Sequence, residues 1–235
     1  MKLPFLVSVP HAGLLVPAEV EDLCILTEQQ IIEDGDQGAA EIYRISEAVE
    51  HYVTSDVARA IVDLNRAEND RRSDGVVKTH TCWDVPVYCE PLTEELIAQL
   101  LEKYYRPYHR ALTEHATSGV IAGIDCHTMA ELGPPVGPDP GISRPFICIS
   151  NADGTCSAEW LRSLAICLGD SFGERVSLNR PFKGGFISRS HSTELPWIQV
   201  ELTRATTMSL SSKRDRFVQA LTQFAVMIDS KKEYG

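Results

Sequence analysis

The stretch Gly119–Leu132, "GVIAGIDCHTMAEL", decides how the rest of the chain is read. Val120 to Ile124 is an apolar, strand-like run, and Asp125-Cys126-His127 then sets carboxylate, thiol and imidazole side by side. A strand that is apolar on both sides belongs in a sheet with helices on both faces. In such sheets ligands gather at the carboxyl ends of the strands. The run is therefore read as a buried strand that stops at Asp125 and delivers a polar cluster at its end. Asp125 and His127 are two residues apart, so on extended backbone they point one way and Cys126 the other.

The same design recurs on both sides of this stretch. "FLVSV" (Phe5–Val9) reads as a buried strand ending at Pro10-His11, and "VARAIVDL" (Val57–Leu64) as one ending at Asn65-Arg66. "FICIS" (Phe146–Ser150) and "PWIQVEL" (Pro196–Leu202) are two more. Between them lie helical spacings at Ala39–Tyr52, Leu92–Ala116, Ser157–Gly169 and Ser211–Lys232, with Thr93 a cap for the second and Pro107 a kink or break in it. "NRPFKGGFISRSH" (Asn179–His191) reads as a loop. The fold class expected is α/β, three layers (α/β/α) around a mixed, mostly parallel sheet, with residues 1–235 forming one domain.

Of the 235 residues 43% are hydrophobic and 23% charged, an ordinary globular balance. The net charge of −11 argues against nucleic acid or an anionic membrane as partner. Seven scattered cysteines without a CxxC pair read as free thiols in a reducing compartment. The N-terminal apolar run is too short for a signal segment, and the expected location is cytoplasmic. No GxSxG motif supports a serine hydrolase.

The residues collected at run ends suit a metal centre. A catalytic zinc takes three protein ligands from His, Asp or Glu and leaves a position for water. His11 and His127 offer imidazoles, and "EDGDQG" (Glu33–Gly38) offers Asp34 or Asp36, one of which also suits a helix cap. Asp125 is either an oxygen ligand or the orienting partner of His127. Glu201, alternating with Val200 and Leu202, is a general base if its face meets a cavity and a solvated edge residue if it does not. Arg59, Arg66 and Asn65 form a candidate carboxylate clamp, whereas Arg71 and Arg72 read as a solvated turn. Arg144, Arg180, Lys183 and Arg189 are further cations on loops, Lys183 beside Gly184-Gly185. His51, His80, His109, His115 and His191 read as structural or surface residues, and Cys126 as packing.

Taken together, "SVPHAG" (Ser8–Gly13), "DGD" (Asp34–Asp36), "VDLNR" (Val62–Arg66), "DCH" (Asp125–His127), "NRPFKGGFISR" (Asn179–Arg189) and "IQVEL" (Ile198–Leu202) resemble the N-formylglutamate amidohydrolase family, in order and along nearly the whole chain. The resemblance implies a zinc-carboxypeptidase-like, phosphorylase/hydrolase-like fold related to the aspartoacylases, with one zinc ion. It also implies hydrolysis of the N-acyl amide of a small acidic amino acid, as in histidine catabolism. By the same resemblance His11, Asp36 and His127 are the metal ligands, with Asp34 and Asp125 as rivals or supports. Glu201 is the general acid/base and Arg59 polarises or binds the carbonyl. Asn65, Arg66, Lys183, Gly184 and Arg189 bind substrate. The chain is shorter than typical members, and "ELTRATTMSL" lacks the tyrosine and acidic residues that often follow the glutamate. A deacylase or peptidase for another N-acyl substrate, and a silent binding homologue, fit the same residues.

Overall fold

The computed structural model describes residues 2–117 and 119–232. Six strands, β1 (Leu3–Val9), β2 (Val49–Thr54), β3 (Ala122–Met129), β4 (Ile147–Ser150), β5 (Val176–Leu178) and β6 (Trp197–Thr203), form one sheet in the order β2-β1-β3-β6-β4-β5. β2, β1, β3 and β6 run parallel, β4 pairs antiparallel with β6, and β5 lies parallel to β4. The mixed, mostly parallel sheet and its two helical layers are those expected from the sequence.

Strand alternation builds the layers. Phe5, Val7, Val9, Ala122, Ile124, Cys126, Ile198, Val200 and Leu202 join one apolar core with α5 (Ala158–Phe172) and α7 (Leu210–Lys232). Leu6 and Trp197 join a second core on the opposite face, against α3 (Glu94–Leu100), α4 (Arg106–His115) and the buried 57–64 segment. Gly123 is required where the two central strands meet, because a Cβ there would lie 2.3 Å from the Trp197 ring. No helix among the described residues is long and apolar enough to cross a membrane.

Several elements depart from the sequence reading. β3 does not stop at Asp125 but continues to Met129, so Asp125, Cys126 and His127 lie inside the strand. Asp125 and His127 pair with Gln199 and Glu201 of β6, which supplies the backbone hydrogen bonds that sustain the extension. The helix expected over Ala39–Tyr52 is only α2 (Ala39–Ile42), and its second half becomes β2; Val49, His51 and Val53 also alternate, and pairing with β1 wins. The strand expected at Val57–Leu64 is an irregular buried segment touched only by isolated bridges: the Ile61 and Val62 amides donate to the Ala58 carbonyl, and that of Asp63 donates to that of Val76. A short apolar run cannot report its own backbone angles.

α1 (Glu28–Asp34), absent from the sequence reading, starts at a capping box of Thr27 and Gln30. α6 (Phe186–Ser190) interrupts the expected loop. Thr93 does cap α3, its hydroxyl accepting from the Leu96 amide. The helix then runs through a π turn, Leu101–Tyr105, into α4 without a break. Pro107 lacks an N–H and crowds the carbonyl four residues back, and the wider turn immediately before it absorbs both faults.

Candidate active site

Three ligand-type atoms meet on the polar face of β3. His11 follows β1, Asp36 sits between α1 and α2, and His127 lies in β3; one atom from each is within 4.8 Å of the others. The hydrogen bonds say which atoms face inward. His11 donates from Nε2 to Asp63 Oδ1 at 2.8 Å, leaving its buried Nδ1 without a hydrogen-bond partner, 3.6 Å from Asp36 Oδ2. His127 Nε2 lies 3.0 Å from Asp125 Oδ2, and its Nδ1 is 2.9 Å from the same Asp36 oxygen. The Asn65 amide nitrogen also lies 3.2 Å from His127 Nε2. Two imidazoles thus turn Nδ1 toward one carboxylate oxygen while carboxylates brace their other nitrogens. Carboxylate-backed histidines of this kind are the usual second layer of a metal site.

Electrostatics follow from the crowding. Burial disfavours charge on Asp36, yet His11 and His127 outweigh it and hold its carboxyl well below the usual range. Burial likewise disfavours a charged His127, but Asp125 and Asp36 raise it well above an ordinary histidine. The orphaned His11 nitrogen, the paired negative oxygen and the proton-hungry His127 form a set that fits a divalent cation, which takes the place of ring protons when it binds.

The support behind these groups reaches far into the fold. Asp125 Oδ1 accepts from Ser8 Oγ at 3.0 Å, and Ser8 in turn is 2.8 Å from the Tyr108 hydroxyl. Asp63 is fully buried; it accepts from His11, from the Asn65 backbone N–H and from Arg59 Nε at 3.1 Å. Burial opposes its ionisation, but His11, Arg59 and Arg66 hold it well below the usual carboxylate range. Asp34 is committed elsewhere: fully buried Lys78 lies 2.8 Å from Oδ2 and the Cys82 amide donates to Oδ1.

Above the cluster opens a cavity of about 510 Å³. Glu201 lines it from β6, on the strand beside His127, and its Oε1 accepts from Gln199 Nε2 at 2.7 Å. Burial is the main cause that pushes the Glu201 carboxyl up. Arg59, Arg66, Arg144, Lys183 and Arg204 give the wall positive charge. Most are engaged: Arg66 with Asp74, Arg144 in a fork with Asp139 and Arg204 with the Gly35 and Thr128 carbonyls.

A sequence model of the N-formylglutamate amidohydrolase family matches residues 3–208. The chain belongs to this family. An N-formylglutamate deformylase of Pseudomonas putida is 25% identical over 224 residues, spanning 88% of this chain and 82% of that protein. The solved structure of an N-formylglutamate amidohydrolase from Ralstonia eutropha JMP134 superposes with a TM-score of 0.73 at 20% identity, covering 99% of this chain and 94% of that one. A protein of Agrobacterium tumefaciens gives the same TM-score at 15% identity, covering 98% and 92%. At these identities the two solved structures speak to the fold alone.

Within this family member, residues singled out in the sequence fall in distinct positions. His11, Asp36, His127, Glu201, Arg59, Asn65, Arg66, Lys183 and Gly184 all line the cavity. Asp125 lies beneath His127, and Asp34 sits behind the cluster with Lys78. Arg189 does not line the cavity and instead donates to the Gly184 and Lys183 carbonyls. The glycines act through backbone approach: a Cβ on Gly185 would come within 2.2 Å of the Asn65 amide, while Gly184 adopts φ +101°. The Ile187 amide then donates to Asn65 Oδ1 at 2.8 Å.

Asp63, Lys78 and Arg204 were not recognised in the sequence. Asp63 had a readable signal, a carboxylate inside the apolar run "AIVDL" that can remain charged only against buried partners. Lys78 in "VVKTH" carries the same signal with opposite sign.

Proposed function

We propose that the chain is one metal-dependent catalytic domain that hydrolyses the N-formyl amide of a small acidic amino acid, N-formylglutamate foremost, to formate and the free amino acid. The observation that carries this reading is the buried His11, Asp36, His127 trio beneath a cavity walled by cations, in a chain whose family is named for that reaction. His11 Nδ1, an Asp36 oxygen and His127 Nδ1 would hold a divalent ion, zinc by the N and O donor set. Such an ion polarises a carbonyl oxygen and lowers the pKa of water.

The chain's own groups supply the rest. Glu201, with its carboxyl pushed up by burial, takes the proton from the attacking water and delivers it to the leaving nitrogen. Gln199 steadies that carboxyl, so that one oxygen remains for proton transfer. Lys183, exposed at the rim and in no ion pair among the described residues, binds a substrate carboxylate together with Arg66 and Asn65. Arg59 keeps Asp63 and Asp36 ionised and so keeps the imidazoles oriented.

The test is hydrolysis of N-formyl-glutamate, N-acetyl-glutamate and N-formyl-leucine by chain stripped with a chelator and then titrated with zinc. The expected result is one equivalent of metal restoring activity, with the formylated acidic substrate preferred. Full activity in the stripped chain, or equal rates on the leucine derivative, overturns the reading.

A further inference from the structure

His109 and His191 lie outside the cavity lining, yet they sit directly behind the Asn65 loop. His109 Nε2 is 3.0 Å from the Leu64 carbonyl, His109 Nδ1 is 2.9 Å from His191 Nε2, and His191 Nδ1 is 2.8 Å from Glu194 Oε2. The two ring planes agree within 7° and their centroids are 5.2 Å apart, which with the 2.9 Å nitrogen separation sets the rings edge to edge, the lone pair of one facing the N–H of the other. Both ends of this row are oxygen acceptors. Three hydrogen bonds therefore need three N–H protons, whereas two neutral imidazoles carry only two. Every two-proton arrangement sets two lone pairs against each other at hydrogen-bond distance, at the Leu64 carbonyl, at the Glu194 carboxylate or between the two rings.

We propose that His109 and His191 hold three ring protons between them, with the net positive charge on His191, and that this charged relay positions Asn65 for substrate. The pair is a positioning device and touches no reacting atom. His191 faces the carboxylate of Glu194, itself fixed by a hydrogen bond from Thr113 at 2.8 Å. His109 lies between Tyr105 and Tyr108 of its own helix, with Glu68 and Asp125 acting on it through space, and burial followed by His191 pushes it down to about 4. The proton is thus better held beside Glu194.

The relay spans both supports of Asn65. His109 on α4 fixes the Leu64 carbonyl, the acceptor of the Leu64–Asn65 peptide. His191 closes the C-terminus of α6, its amide donating to the Ile187 carbonyl, and the Ile187 amide holds Asn65 Oδ1. Breaking the central N–H···N bond would free α6 from α4 around the side chain that grips substrate. The N-terminal neighbour of α4 joins the same task, since the Tyr105 hydroxyl donates to the Arg66 carbonyl at 2.8 Å.

The primary test is long-range proton–nitrogen NMR of the histidine rings in the full chain at pH 7. It is expected to find both nitrogens of His191 protonated and only Nε2 of His109. In Glu194→Gln the amide can donate to His191 Nδ1, so two ring protons suffice, and His191 is expected to become neutral at the same pH. A neutral His191 in the natural chain, or a charged one that persists in the Gln variant, overturns the proposal. Neither result depends on the substrate assignment.

The kinetic arm rests on the proposed function. KM for N-formylglutamate should rise about fivefold, the worth of one hydrogen bond, as alkali removes the third proton, with kcat changing much less. The inflection should coincide with the NMR titration of His191 and flatten in Glu194→Gln. An inflection that stays unchanged in that variant removes the positioning role.

Discussion

β3 and β6 carry two faces of opposite chemistry on one length of chain. Ala122, Ile124 and Cys126 of β3, with Ile198, Val200 and Leu202 of β6, enter an apolar core against α5 and α7. The residues between them, Asp125, His127, Gln199 and Glu201, are equally buried but polar, and they meet a cavity and a net of hydrogen bonds. Burial is the same on both sides; what differs is whether each buried group has a partner. Polar groups survive on one face because nearly every atom is answered. The apolar face is stabilised by packing alone and should govern folding, while the polar face should govern chemistry.

The sharpest separation is expected from Glu201→Gln. It keeps the shape and removes the proposed proton acceptor, so kcat/KM should fall about 10²- to 10⁴-fold while metal content and thermal midpoint stay close to those of the natural chain. A variant that hydrolyses N-formylglutamate at the natural rate with metal bound would end the division of labour between the faces. On the opposite side of the same strand, Ile198→Ala removes only packing. A stability loss of about 2–5 kcal/mol is expected in urea titrations, with turnover per folded molecule unchanged. Turnover that falls in step with stability would mean the faces are mechanically coupled.

A smaller effect is expected from Asp63→Asn, behind the polar face. Removing the carboxylate that orients His11 should weaken zinc about 10- to 100-fold in a competition titration. The pH dependence of the metal-free chain supplies the sign. Asp63 is held well below its unfolded range despite burial, by His11, Arg59 and Arg66, so its stabilisation is present above the ordinary carboxylate value of about 4 and is lost as pH falls through the folded one. Urea midpoints measured at stepwise lower pH should fall less steeply in the Asn variant. Equal slopes would remove Asp63 from the account.

The difference between the faces also explains what the sequence could and could not tell. Alternation in "IQVEL" and the two-residue spacing in "DCH" announced which side chains share a face, and the sheet class followed from apolar runs separated by helices. The ends of those runs were misleading. β3 passes through Asp125 and His127 because β6 pairs with it there, a long-range fact that no local pattern contains. Asp34 and Asp36 could not be separated in "EDGDQG", since what distinguishes them is Lys78, more than forty residues away in the chain and fully buried beside Asp34. The His109–His191 contact similarly joins α4 to the end of α6, and neither histidine has a neighbour in sequence that betrays it.

The smallest expected effect tests the comparison at its narrowest point. Cys126 lies between Asp125 and His127, and a reactive thiol there would read as a nucleophile from order alone. Its side chain instead enters the apolar core, fully buried, and burial pushes the thiol well up, away from the thiolate that nucleophilic attack requires. Its sulfur only approaches the Ile124 carbonyl, at 3.7 Å. Cys126→Ala should therefore cost about 1 kcal/mol of stability, the scale of a small core truncation, and leave kcat/KM within about twofold. In native chain treated with a thiol-alkylating reagent, Cys126 should stay unmodified by mass spectrometry until denaturant is added, whereas the partly exposed Cys82 of the cavity wall reacts. If the alanine variant loses turnover while remaining folded, the thiol reaches the polar face after all, and one residue of alternation no longer separates packing from chemistry.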